Sequence, residues 1–149
     1  MAKLKILTRE ELRRLSQRIA EEENKSRGEI RVTLHEKRSW RQKKKTVYEL
    51  AIREFHRLRM HRTAEHTGIL IYVLVGDRQF QILADEGIHR KVPEGTWEKI
   101  AAEMGEAFKA ENFFEGVSDA LSKVGDVLAR HFPPKSRNRN ELPDDVVLT

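Results

Sequence analysis

Residues 68–85 constrain the fold of this chain more tightly than any other stretch. Gly68-Ile69-Leu70-Ile71-Tyr72-Val73-Leu74-Val75 is apolar almost throughout, which predicts a strand buried on both faces. Arg78-Gln79-Phe80-Gln81-Ile82-Leu83-Ala84-Asp85 alternates apolar and polar residues, so one face should meet a core and the other water. Gly76-Asp77 between them predicts a two-residue hairpin turn. A strand buried on both faces needs cover on both sides, and helical periodicity flanks this pair in both directions. The expectation is a small layered α/β domain.

The flanking segments carry their own punctuation. A first helix is predicted from Thr8 to about Lys25, with Thr8 and Glu11 as a capping box and Leu7 with Leu12 as a hydrophobic staple. Leu12, Leu15 and Ile19 give its apolar stripe, and Gly28 stands as a stop signal. Glu29–His35 alternates, with Ile30, Val32 and Leu34 on one side, and predicts an outer or half-buried strand. After the basic stretch Lys37–Lys45, a second helix is expected to about His61, with Val47, Leu50, Ala51, Phe55 and Leu58 inward. Strand, helix and strand make a βαβ unit, so the first two strands should be parallel and the hairpin should add an antiparallel one. Asp85–Pro93 reads as a turn. A third helix runs from Glu94 or Thr96 to Lys109, with Trp97, Ile100, Ala101, Met104 and Phe108 on one stripe. A fourth, capped by Asn112 and Glu115, is stopped by Phe132-Pro133-Pro134. Four amphipathic helices and about three strands predict an α/β/α sandwich around a small mixed sheet, formed by residues 1–134. Residues 135–149 read as a polar, mobile tail, in which Val146-Val147-Leu148 could dock on the domain or on a neighbouring chain.

Composition excludes several classes. There is no cysteine, hence no disulfide and no thiolate metal site. No apolar run approaches the roughly 20 residues that span a bilayer, and the N-terminus lacks an apolar leader, so a cytoplasmic location is expected. Abundant Lys, Arg and Glu match the composition of thermophile proteins. The net charge of +5 is unevenly spread: residues 37–62 carry net +8 and residues 63–149 net −5. An acidic partner should therefore meet residues 37–62 first.

Two segments are candidates for chemistry. Asp85 and Glu86 beside Gly87, at a strand end, could hold a hard cation such as calcium or magnesium, or could simply terminate the strand. Asp77 lies at the other end of that strand, roughly 26 Å away. Further oxygen ligands would have to come from Asp119, Asp126 or backbone carbonyls. The six histidines show no zinc spacing, and only His89 lies close to the acidic turn in sequence. His56 and His61, five apart, would sit about 140° apart on a helix. Nucleophile elbow, P-loop and dinucleotide fingerprints are absent. The second candidate is Lys37-Arg38-Ser39-Trp40-Arg41-Gln42-Lys43-Lys44-Lys45, six cations without an acid. Arg41, Lys45, Arg53 and Arg57 recur at multiples of four and should share one helical face, interrupted by Glu49. Such a stripe could track phosphates with Trp40 stacked on a base, or it could be a solvated face with Trp40 folded onto the sheet. Lysines at a helix start oppose its dipole, a small cost that draws attention to Lys43–Lys45.

Gly68–Val73, Ile82–His89, Val92-Pro93, Trp97 and Phe108–Gly116 together resemble the TPM domain family. His131-Phe132-Pro133 and Asn140-Glu141-Leu142-Pro143 extend that likeness over roughly residues 8–145. It resembles most the stand-alone bacterial members without signal peptide or membrane helix. The resemblance implies an α/β/α sandwich. It also implies three possible roles: phosphatase activity, as described for chloroplast lumenal members; divalent-cation binding through acidic loop residues; or accessory and assembly functions. Of such an acidic loop this chain matches Asp85 and Glu86, and His89-Arg90-Lys91 follow where metal-binding relatives carry a dense acidic cluster. The leading expectation is a non-catalytic interaction domain that contacts a protein partner. A metal-dependent phosphatase at Asp85 and Glu86, and nucleic-acid or anionic-surface binding through residues 37–62, are the alternatives.

Overall fold

The computed structural model describes residues 6–134 and 146–149. Helix α1 (Arg9–Glu23) opens on the expected capping box: Glu11 N donates to Thr8 Oγ1 at 3.0 Å and Thr8 N to Glu11 Oε1 at 2.9 Å. Strands β1 (Glu29–His35) and β2 (Gly68–Leu74) pair in parallel, joined through helix α2 (Val47–Arg57). Strand β3 (Gln79–Ala84) returns antiparallel to β2. A short helix α3 (Glu86–His89), then α4 (Thr96–Lys109) and α5 (Phe113–His131), complete the domain. Strand β4 (Val147–Leu148) pairs in parallel with β1, and the sheet order is β3-β2-β1-β4.

Three layers follow from which side chains each strand sends to which face. Ile30, Val32, Leu34, Ile69, Ile71 and Val73 meet α1, α4 and α5 in one core. Leu70, Tyr72 and Leu74 meet Leu50, Ala51 and Phe55 of α2, with Met60, in a second core. Burial of a side chain of this size contributes about 1.5–3 kcal/mol, which makes the larger face the main source of stability.

The structure corrects the sequence reading in several places. Strand β1 is an inner strand and is buried through Leu34, because β4 covers the edge that would otherwise be open. The turn between β2 and β3 spans Val75–Arg78, and Arg78, at φ 51°, takes the left-handed position. Gly76 is needed for proximity rather than for φ: a Cβ there would stand 2.8 Å from Glu36 O. Helix α2 starts at Val47, after a Thr46–Glu49 capping box, so Lys43–Lys45 lie outside it and burden its dipole little. It ends at Arg57; left-handed Arg59 then turns the chain into a 3₁₀ turn, Met60–Arg62. Asn112 sits at the start of α5 but makes no side-chain capping bond. Val146-Val147-Leu148 docks on the chain's own sheet, anchored also by Val146 N donating to Ser16 Oγ at 3.1 Å. The rest of the expected tail, 135–145, with its Asn140–Pro143 landmark, lies outside the described residues.

Candidate functional site

The acidic corner forms where β3 ends. Asp85 N donates to Gly68 O at 2.8 Å, which fixes the backbone, and Asp85 then caps α3: its Oδ1 accepts from Glu86 N at 2.7 Å. Its Oδ2 is buried and accepts no hydrogen bond, with His66 Nδ1 3.5 Å away. The histidine whose ring lies at this corner is therefore His66, brought in by the chain reversal before β2; it and His89 are both exposed. Glu86 points outward and accepts from Arg90 at 2.8 Å; that hydrogen bond holds its carboxyl below the usual carboxylate range. Asp119 and Asp126 are exposed on α5. Among the described residues no three His, Asp or Glu side chains gather as a metal-binding group. A divalent cation wants six or more oxygen ligands or several waters held by carboxylates. Asp85 Oδ1 is engaged as a cap and Glu86 is paired with Arg90, so of the two carboxylates one oxygen, Asp85 Oδ2, is left beside His66, well short of the ligand set a divalent cation takes.

The basic segment lies at the other end of the sheet, where β1 stops. Arg38, 18% exposed at its side chain, pins it. Its Nε donates to Lys45 O at 2.9 Å, its guanidinium pairs with Asp77 of the hairpin turn, and Nη2 donates to Gln79 Oε1 at 2.8 Å. Gln42 Oε1 accepts from Ser39 N at 2.9 Å and lies 3.1 Å from His35 Nε2, which ties the 3₁₀ turn Trp40–Gln42 to the end of β1. On this anchored loop Trp40 is 85% exposed, so it does not fold onto the sheet. Lys37, Arg41, Lys43 and Lys44 are also exposed and make no ion pair among the described residues. Tyr48 is exposed beside them, at the start of α2.

The expected stripe through Arg41, Lys45, Arg53 and Arg57 is not one helical face. Arg41 and Lys45 precede α2, Lys45 reaches Glu49 at 3.7 Å, and Arg57 grips Glu54 through two bonds of 2.6 and 2.9 Å. His56 and His61, which helical spacing sets apart, have ring centroids 4.8 Å apart because the helix ends between them.

A third feature lies on the α2 face of the sheet. Thr33, His35 and Tyr72 point there from β1 and β2, and Thr33 Oγ1 donates to the buried Glu54 at 2.8 Å. Burial, then the nearby Glu54 carboxylate, pushes the Tyr72 phenol up to about 12. Only the polar alternation Arg31-Thr33-His35 in the sequence hinted at it.

With this geometry in view, the sequence profile of the TPM domain matches residues 2–127. The NMR structure of the BA42 protein from the psychrophilic bacterium Bizionia argentinensis is similar over all of both chains, at 34% identity and a TM-score of 0.87. The solution NMR structure of the N-terminal domain of a protein from P. gingivalis aligns with 88% of this chain and 83% of its own length, at 15% identity and a TM-score of 0.72, and shares the fold. No curated protein matches.

Proposed function

The chain belongs to the TPM domain family, and from that premise we propose that it is a non-catalytic interaction domain that docks an acidic face of a protein partner through the 37–46 loop. The observation that carries this reading is Trp40. A tryptophan 85% exposed on a loop held by three Arg38 bonds presents a large amphipathic ring to solvent, the kind of side chain enriched at interfaces. Around it stand Lys37, Arg41, Lys43 and Lys44, which make no ion pair among the described residues. Tryptophan and arginine are the side chains that most often anchor protein interfaces, and the cations speed and orient encounter with an acidic surface. Because the loop is already ordered, little entropy is lost on docking.

Binding to a soluble acidic polypeptide, poly-glutamate, at low salt tests the reading. Saturable binding that shields Trp40 from acrylamide quenching, and that falls about tenfold in Trp40→Ala, supports it. Equal binding by Trp40→Ala, or tighter binding to single-stranded DNA than to poly-glutamate, overturns it.

The phosphatase reading rests on Asp85 and Glu86, and the corner geometry supports it less, because one carboxylate caps a helix and the other is paired in solvent. Titration with calcium, magnesium and manganese separates the two readings. The interaction domain gives no saturable heat. Phosphomonoester hydrolysis lost in Asp85→Asn, with the fold intact, establishes the enzyme instead.

A further inference from the structure

The two faces of the sheet are covered unequally. Three long helices lie on one side, whereas the other has α2, of 11 residues, with the turn that follows it. That leaves a cavity of about 630 Å³ beside α2, over the carboxyl-terminal halves of the parallel strands β1 and β2. In open α/β sheets, ligands gather outside the carboxyl ends of parallel strands. The floor is made by His35 and Tyr72, whose ring centroids are 6.3 Å apart, and Leu50 and Ile52 add apolar wall.

The charges sort themselves by what they already hold. Glu54 lines the cavity but is bound bidentately by Arg57 and by Thr33 Oγ1, so its charge is compensated where it stands. Arg38 is committed to Asp77. Arg53 lines the same cavity, is exposed, and makes no ion pair among the described residues. Tyr72 is 4% exposed, and its phenol keeps its proton far above neutral pH, which makes it a hydrogen-bond donor. His35 is fixed from both sides, at Nε2 by Gln42 and at Nδ1 by Thr149 Oγ1 at 2.9 Å. One free guanidinium and one hydroxyl donor above apolar and ring surface match a singly charged, planar oxyanion on an apolar body. A phosphate dianion would want a second free cation; the two other arginines nearby are already paired, and His56, which also lines the cavity, packs its ring against His61.

We propose that this cavity binds a small organic carboxylate, with Arg53 and Tyr72 taking the carboxylate oxygens and Leu50, Ile52 and the His35 ring holding the apolar body. The site is separate from the Trp40 loop, and nothing in the docking reading requires it.

The test is an NMR titration of the intact protein with benzoate and hexanoate, with phenyl phosphate and inorganic phosphate in parallel. Saturable shifts at Leu50, Arg53 and Tyr72, with a Kd on the order of millimolar, are expected for the carboxylates. Arg53→Gln, an exposed position, should weaken binding about tenfold, and Tyr72→Phe, which keeps the ring, by several-fold. Trp40→Ala should leave the titration unchanged, which keeps this inference distinct from the docking surface. Non-saturating shifts, wild-type affinity in Arg53→Gln, or phosphate binding equal to that of the carboxylates would overturn it.

Discussion

The two ends of the central sheet treat charge in opposite ways. At one end, where Ala84 pairs with Ile69, Asp85 faces inward as a helix cap against His66, and Glu86 is neutralised by Arg90. At the other, where Leu74 pairs with Gln79, Arg38 and Gln42 do the internal bonding, and Trp40 with four cations is left to solvent. The acidic end uses its polar groups to close a chain reversal. The basic end anchors a loop and leaves Lys37, Arg41, Lys43 and Lys44 without an ion pair among the described residues. Charge in a sequence marks a functional surface when it remains unspent after local structure has taken what it needs.

Substitutions at the two ends should separate accordingly. The largest effect is expected from Gly87→Ala. A Cβ there runs into the backbone carbonyls of Glu65 and His66, the latter at 2.6 Å, and backbone cannot step aside cheaply. A loss of about 3 kcal/mol in urea unfolding is expected, and wild-type stability would mean that the acidic end is looser than described. Trp40→Ala should do the reverse: stability within about 0.5 kcal/mol of wild type, while poly-glutamate binding falls about tenfold. Arg38→Ala sits between them. It should cost about 1 kcal/mol through its bonds to Lys45, Asp77 and Gln79 and also weaken binding, because the loop loses its anchor. An Arg38→Ala protein that binds as wild type would show that preorganisation of the loop is irrelevant.

Tyr72, midway along the sheet, offers a pH test. Its folded phenol titrates near 12, whereas the unfolded chain ionises near 10. The stabilisation is complete below pH 10 and is lost as pH climbs from 10 to 12, because the unfolded chain releases its proton first. Tyrosinate absorbance in a Tyr48→Phe background, followed beside the unfolding midpoint, checks both parts; a Tyr72 titration near 10 would mean that the phenol is solvated rather than buried. The smallest effect is expected at Glu86→Gln. Arg90 lowers the Glu86 pKa, so the pair helps above the unfolded carboxyl's range and is lost as pH falls through the folded value. Both partners are exposed and screened by solvent, so melting near pH 7 should stay within the scatter of the wild type.

Much of the scaffold was legible because local signals and burial agreed. The apolar run Gly68–Leu74, the Thr8–Glu11 box and the Trp97-Ile100-Met104-Phe108 stripe each state one conformation and one face. The errors fell where a residue's role depends on a distant neighbour. Strand β1 seemed half-exposed because its polar alternation is covered by Glu54 and its edge by Val147-Leu148, more than a hundred positions downstream. The imidazole that faces the Asp85 carboxylate belongs to His66, 19 positions upstream, whereas His89, the nearer in sequence, meets Asp85 through its backbone N–H. The basic segment was found by composition alone, but the division between Arg38, which anchors, and Trp40, which projects, needed the hairpin turn against which Arg38 folds.

By itself the sequence determined the four long helices, the parallel pair with its antiparallel return, the sandwich class and the uneven charge, since periodicity, caps and composition act within a few residues. The tertiary structure alone decided which charges remain free, which strand edge is closed and where an open volume is left beside α2. Those outcomes depend on contacts between segments far apart in the chain, and hydrogen bonding and desolvation are settled only when such segments meet.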